Sequence, residues 1–168
     1  ADANVALSTE QKNNNRGVAE IVKSNDGSQA ATTANVQLLT LETGNSSGTF
    51  AFNTGSGYLY AASSSSNYLK TQESLTDNSS FKITLSDGVF SIVAQGTNTR
   101  NDLKYNSSSN LFACYAADNT QGNVALYKFV SNLSNLSAPS NVSVSEDGQI
   151  TFDTTSSEEE FVEKYTAT

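Results

Sequence analysis

At 168 residues the chain holds one full domain with a buried core and a part of another. Nine Lys and Arg stand against 17 Asp and Glu, a formal charge of −8, so phosphate backbones and anionic lipid headgroups are repelled. There is no His, which removes the commonest general base, the Ser-His-Asp and Cys-His systems, and imidazole metal sites.

Ser, Thr and Asn make up more than a third of the chain, and 15% of residues are charged, a balance typical of secreted β-proteins. Cys114 is the single cysteine, so no intrachain disulfide and no cysteine metal site form. It alternates with Phe112 and reads as a small buried hydrophobe, with a reactive thiol as the alternative. No apolar run approaches the length of a membrane span. The start at Ala1-Asp2-Ala3, without an initiator Met, suggests a processed or excised piece of something longer.

Along the chain, period-2 alternation predicts strands. They are VALSTE (5–10), VAEIVK (18–23), VQLLTLE (36–42), TFAFN (49–53), YLYAA (58–62), YLKTQ (68–72), FKITLS (81–86), VFSIVAQ (89–95), DLKYN (102–106), LFACYA (111–116) and VALYKF (124–129). Asp26-Gly27, Gly44 to Gly48 and Asp87-Gly88 supply the turns, and Asp87-Gly88 is the strongest hairpin signal because both residues tolerate positive φ. No helix is predicted before residue 156; Ser156 to Tyr165 has a helix-like start, which a solvated loop explains equally well.

One phrase is written three times. GYLYAASSSSNYLKTQ (Gly57 to Gln72) returns as NDLKYNSSSNLFACY (Asn101 to Tyr115), and a blurred copy runs from Asn4 to Val22. The copies end their Ser/Asn connections at Asn15, Asn67 and Asn110, roughly 40 to 50 residues apart, a period that signals repeat architecture. Three four-stranded units, the third lacking its last strand, predict an all-β fold: a β-trefoil-like barrel of three pseudo-repeats over residues 1–130. Its core positions are Leu7, Leu59 and Leu103, with Val18, Leu69 and Phe112 in the partner strands. Alternation turns Tyr58, Tyr60, Tyr68 and Lys70 outward.

Residues 131–140, with the one proline, Pro139, read as a linker. Residues 141–168 hold two alternating strands about Asp147-Gly148 and look like an incomplete immunoglobulin or fibronectin type III segment, for about 100 residues would be needed to complete such a sandwich.

The chemistry is sparse. Asp and Glu fall at turns (Asp26, Asp77, Asp87, Asp147) or in the run Glu158 to Glu160, which is no pattern for a carboxylate pair of the glycosidase kind. No phosphate loop or calcium loop occurs, and neither a metal nor another cofactor is expected. Six Asn-x-Ser sequons, at Asn45, Asn78, Asn106, Asn132, Asn135 and Asn141, mostly mark turns in a chain so rich in both residues. Trefoils often bind glycans by stacking an aromatic ring on the sugar and offering amides to its hydroxyls. Candidate ligand-binding residues are Tyr58, Tyr60 and Tyr68 with Asn67, and Tyr105 and Tyr115 with Asn110; Arg100 and Asp102 are nearby polar candidates. The competing reading is structural: tyrosines pair across strands and asparagines end turns. The chain has no Trp, and so no Gln-x-Trp pattern.

Four phrases carry a resemblance: Ala6 to Arg16, Leu38 to Thr71, Ser91 to Tyr115 and Val124 to Phe129. Through them, residues 4–129 resemble a module common in large secreted or surface proteins of gut Bacteroidetes. The resemblance implies export, a place among adhesins at the cell surface, and no settled activity. Members usually carry a further stretch upstream of the ALST strand, absent here, and often a Trp where this chain has Asp102. The expected function is a non-catalytic extracellular binding or adhesion module of a larger surface protein, with a glycan or a host or surface protein as partner. The alternative is a structural subunit, completed by strand exchange at incomplete edges and so homo-oligomeric. A protease inhibitor presenting the Arg16 or Arg100 loop ranks third.

Overall fold

The computed structural model describes residues 3–129 and the backbone of Val142–Val144 and Ile150–Phe152. The chain divides into two compact units, Ala1–Tyr127 and Lys128–Thr168. The predicted linker 131–140, the Asp147-Gly148 turn and the Ser156 to Tyr165 stretch lie outside the described residues.

The first unit is all-β. Its strands are β1 (Val5–Lys12), β2 (Asn15–Glu20), β3 (Val22–Lys23), β4 (Ala30–Ala31), β5 (Thr40–Thr43), β6 (Phe50–Asn53), β7 (Tyr58–Ala61), β8 (Leu69–Gln72), β9 (Phe81–Ser86), β10 (Val89–Ala94), β11 (Asp102–Asn106) and β12 (Leu111–Tyr115), with one 3-10 turn at Asp77–Ser79. Antiparallel pairing runs β1-β2-β12-β11-β10-β9-β6-β7-β8, with β5 on β6. The two ends of this path nearly close into a barrel. The Leu69 amide of β8 donates to the Asn14 carbonyl (3.0 Å) and Asn15 Oδ1 (3.1 Å), while Gln11 Nε2 donates to the Leu69 carbonyl (3.3 Å). The turn after β1 thereby clasps the free edge of β8.

Turn chemistry explains the hairpins. In the loop between β9 and β10, Asp87 and Gly88 adopt φ of 50° and 77°, the left-handed pair a two-residue turn requires. Six cross-strand pairs follow, from Ser86↔Val89 to Phe81↔Ala94. Asn13 (φ 56°) and Asn110 (φ 50°) hold the same conformation before β2 and β12. Asp26 ties the loop between β3 and β4: its Oδ1 accepts from the Ser24 hydroxyl (2.6 Å), the Ser28 amide (3.0 Å) and the Ser28 hydroxyl (2.8 Å). These bonds, Ser24's first, hold its carboxyl down at about 2.

The core gathers Phe52, Leu59, Ala61, Leu69, Phe81, Ile92, Ala94, Leu103, Phe112 and Cys114, and Leu7 and Val18 pack partly buried against it. Inward positions alternate as read, with Leu59, Ala61 and Leu69 wholly enclosed. Gly57, entering β7 at φ +140°, sits where a Cβ would stand 2.5 Å from the Gln72 carbonyl oxygen; Gly55 (φ +88°) faces open space. Gly55→Ala therefore costs about 1–2 kcal/mol for the left-handed backbone alone. Gly57→Ala adds about 1–3 kcal/mol of overpacking, read as a lower urea midpoint than that of Gly55→Ala.

Two expectations are corrected. Val124 to Phe129 form no strand. Just before the segment, Gly122 meets β11 in one bridge to Tyr105, and within the segment Leu126, Tyr127 and Phe129 are exposed. Alternation without a partner edge makes no ladder. VQLLTLE also shortens: β5 begins at Thr40, while Val36 makes an isolated bridge to Ser8. In the second unit, Val142–Val144 (β13) pairs antiparallel with Ile150–Phe152 (β14) in register Val142↔Phe152.

Candidate tyrosine-lined site

The hairpin β7–β8 has two unlike faces. Register pairs Tyr58 with Gln72 and Tyr60 with Lys70, and the Ala62 amide donates to the Tyr68 carbonyl, so Tyr58, Tyr60, Tyr68, Lys70 and Gln72 share the outer face. All five are half-buried. Tyr58 is spoken for: its hydroxyl donates to Glu42 Oε2 at 3.0 Å, and this hydrogen bond, with the carboxylate's charge, raises the phenol's ionisation above its ordinary range. Gln72 Nε2 is likewise engaged, donating to the Ser74 carbonyl (2.7 Å) and Thr76 Oγ1 (2.8 Å). The hydroxyls of Tyr60 and Tyr68 and the Lys70 ammonium have no partner among the described residues.

A second loop docks at the end of this face. Asn98 Nδ2 donates to the Ala61 carbonyl (2.7 Å), and Thr99 bonds Ser64 through its amide and its hydroxyl, both at 3.2 Å. Arg100 Nη1 then donates to Asn67 Oδ1 at 2.7 Å. The structure thus brings Asn67 and Arg100 together beside Tyr68, although 33 positions separate the two residues. Arg100 Nε is buried with no partner among the described residues, so the guanidinium is held by one contact.

The remaining candidates lie on the hairpin β11–β12, and their geometry argues against an open platform. The Tyr105 ring packs on Phe112 (centroids 5.3 Å apart) and its hydroxyl donates to Asn110 Oδ1 at 3.0 Å, within the hairpin. Tyr115 is 7% exposed, and its hydroxyl accepts from Asn106 Nδ2 at 2.8 Å. Asp102 is buried and paired with Lys104 Nζ at 3.1 Å. Residues 116–123 return along this hairpin, Gly122 bonding Tyr105 through both backbone groups and Asn119 donating to Asp102 Oδ2 at 3.4 Å. Cys114 is fully enclosed, and burial, then the Asp102 charge, pushes its ionisation far up, which leaves the thiol inert.

Glu42, Lys104 and Asn123 take part in these networks without having stood out in the sequence. Glu42 sits in an ordinary alternating strand, and its partner Tyr58 is 16 positions away. Among the described residues no group of three His, Cys, Asp or Glu side chains comes together to hold a metal, and no helix is long and apolar enough to cross a membrane. No family model matches the chain, and neither a curated protein nor a solved structure does so.

Proposed function

We propose that the chain is a non-catalytic binding module of a larger, exported bacterial surface protein, and that it holds a carbohydrate on the outer face of β7–β8. The observation that carries this is the pair Tyr60 and Tyr68 on one face, with unpartnered hydroxyls among the described residues and with Asn67 and Arg100 alongside. Rings that cover a sugar's apolar face, next to amide and guanidinium groups that meet its hydroxyls, suit a neutral or acidic glycan. Lys70 adds a second cation on the same face. Three like hairpins, β1–β2, β7–β8 and β11–β12, support a β-trefoil-like barrel of three pseudo-repeats, with β13–β14 opening an immunoglobulin-like or fibronectin-like segment.

The test is a glycan array probed with the full chain, followed by titration of the hits with Tyr60→Ala and Tyr68→Ala. Each substitution weakens binding roughly tenfold, equivalent to about 1.4 kcal/mol. Tyr105→Ala leaves affinity unchanged, because its ring serves Phe112 and Asn110. No binding across mucin, plant and microbial glycans overturns the proposal. The strand-exchanged structural subunit is favoured instead if light scattering finds polymers; exposed Leu85 (59%) and Val89 (47%) at the tip of β9–β10 are the surface such a contact would cover.

A further inference from the structure

Lys104 Nζ lies 2.5 Å from Asn123 Oδ1 and 3.1 Å from Asp102 Oδ2, so an amine, a carboxamide and a carboxylate meet at one point. The meeting is built into the backbone. Asp102 and Lys104 are two apart on β11 and share its outer face, and the Tyr105 and Gly122 amides and carbonyls exchange hydrogen bonds at 2.9 and 3.0 Å. That exchange fixes the residue after Gly122 opposite the residue before Tyr105. The pair is sheltered: the Lys104 and Asp102 side chains are 12% and 11% exposed, and fully buried Ala113 stands opposite Lys104 in register. Asp102 Oδ1 is buried with no partner among the described residues, an acceptor left free beside the amine.

We propose that Lys104 and Asn123 become joined by an intramolecular isopeptide bond, with Asp102 as the proton carrier. The Lys104 ammonium gives one proton to Asp102, and the neutral Nζ attacks Asn123 Cγ. The Nζ–Cγ bond forms and the Cγ–Nδ2 bond breaks. A second proton from Nζ and the one held by Asp102 go to the departing nitrogen, which leaves as ammonium and restores the carboxylate. No oxidant or co-reactant enters. Asn123 is exposed, so the leaving group passes straight into water. Holding amine and amide in contact replaces the encounter that makes such aminolysis slow between free side chains. The product ties β11 covalently to the strand-less segment that follows Gly122.

Trypsin digestion of the denatured full chain, read by mass spectrometry, decides the matter. Without the bond, cleavage after Arg100, Lys104 and Lys128 yields two separate peptides, 101–104 and 105–128. With it, Lys104 is no longer a cleavage site, and one species spanning 101–128 appears, lighter than the sequence by one ammonia. Lys104→Arg and Asn123→Ala abolish that species, and Asp102→Asn abolishes it or slows its appearance at least tenfold. Ammonia loss with Lys104 still cleaved reports succinimide formation elsewhere and overturns the proposal, as does the unmodified mass. Linkage that proceeds at full rate in Asp102→Asn overturns the role given to the carboxylate.

Discussion

Replacing Phe81 with alanine lowers the unfolding free energy by about 3–5 kcal/mol. Phe81 is wholly buried, its ring lies 5.4 Å from that of Phe52 at a tilt of 54°, and it opens β9 where that strand joins β6 to β10. Truncation removes the transfer energy of the ring and leaves a void between strands held apart by the sheet, which cannot collapse to fill it. Against a total stability of about 5–15 kcal/mol for a domain, the loss brings the chain near its threshold. Phe50, its cross-strand neighbour, is 40% exposed, and Phe50→Ala costs much less. Urea unfolding followed by circular dichroism separates them; equal midpoints for the two variants would refute this account of the core.

Arg16→Glu is the second large effect, at about 3–5 kcal/mol, the cost of an uncompensated buried charge. Arg16 is 5% exposed on β2, donating from Nη1 to the Thr9 carbonyl (3.2 Å) and from Nη2 to Gln37 Oε1 (3.0 Å). No carboxylate pairs with it among the described residues, and burial lowers its ionisation from the ordinary arginine value. A carboxylate in its place meets the same oxygens and repels them. The penalty is pH-dependent with a definite sign. Burial raises the folded-state ionisation of the introduced glutamate above its unfolded value, so the destabilisation is full at neutral pH and shrinks as pH falls through that range. Thermal melts at several pH values check this: a gap from wild type that widens on acidification contradicts it.

What the sequence made legible was local. Asp87-Gly88 between two alternating runs specified β9–β10 down to its register, because a two-residue turn leaves one way to pair the flanking residues. The inward Leu59 and Leu69 followed from the recurring alternation, and both are wholly enclosed. What stayed hidden was pairing at a distance. Val124 to Phe129 alternate as well as any strand here, but alternation names a face and not a neighbour. Asp102 reads as a ligand-binding candidate because the segment that meets it, 116–123, carries no apolar signal. The contacts that assemble the tyrosine-lined site run between loops, as from Arg100 to Asn67, where composition predicts a turn and nothing about which turn it touches.

The pairing of β2 with β12 has a consequence for the order in which the protein is made. Phe112↔Arg16 and the clasp of the first turn on Leu69 join the first strands of the unit to ones that emerge later from the ribosome. Until Leu111–Tyr115 has been synthesised, the first hairpin has an unoccupied edge, and long-range closure of this kind is slow. Within this unit the strands made before Leu111 therefore wait as an open sheet, and the step that completes it comes almost at the end of the unit.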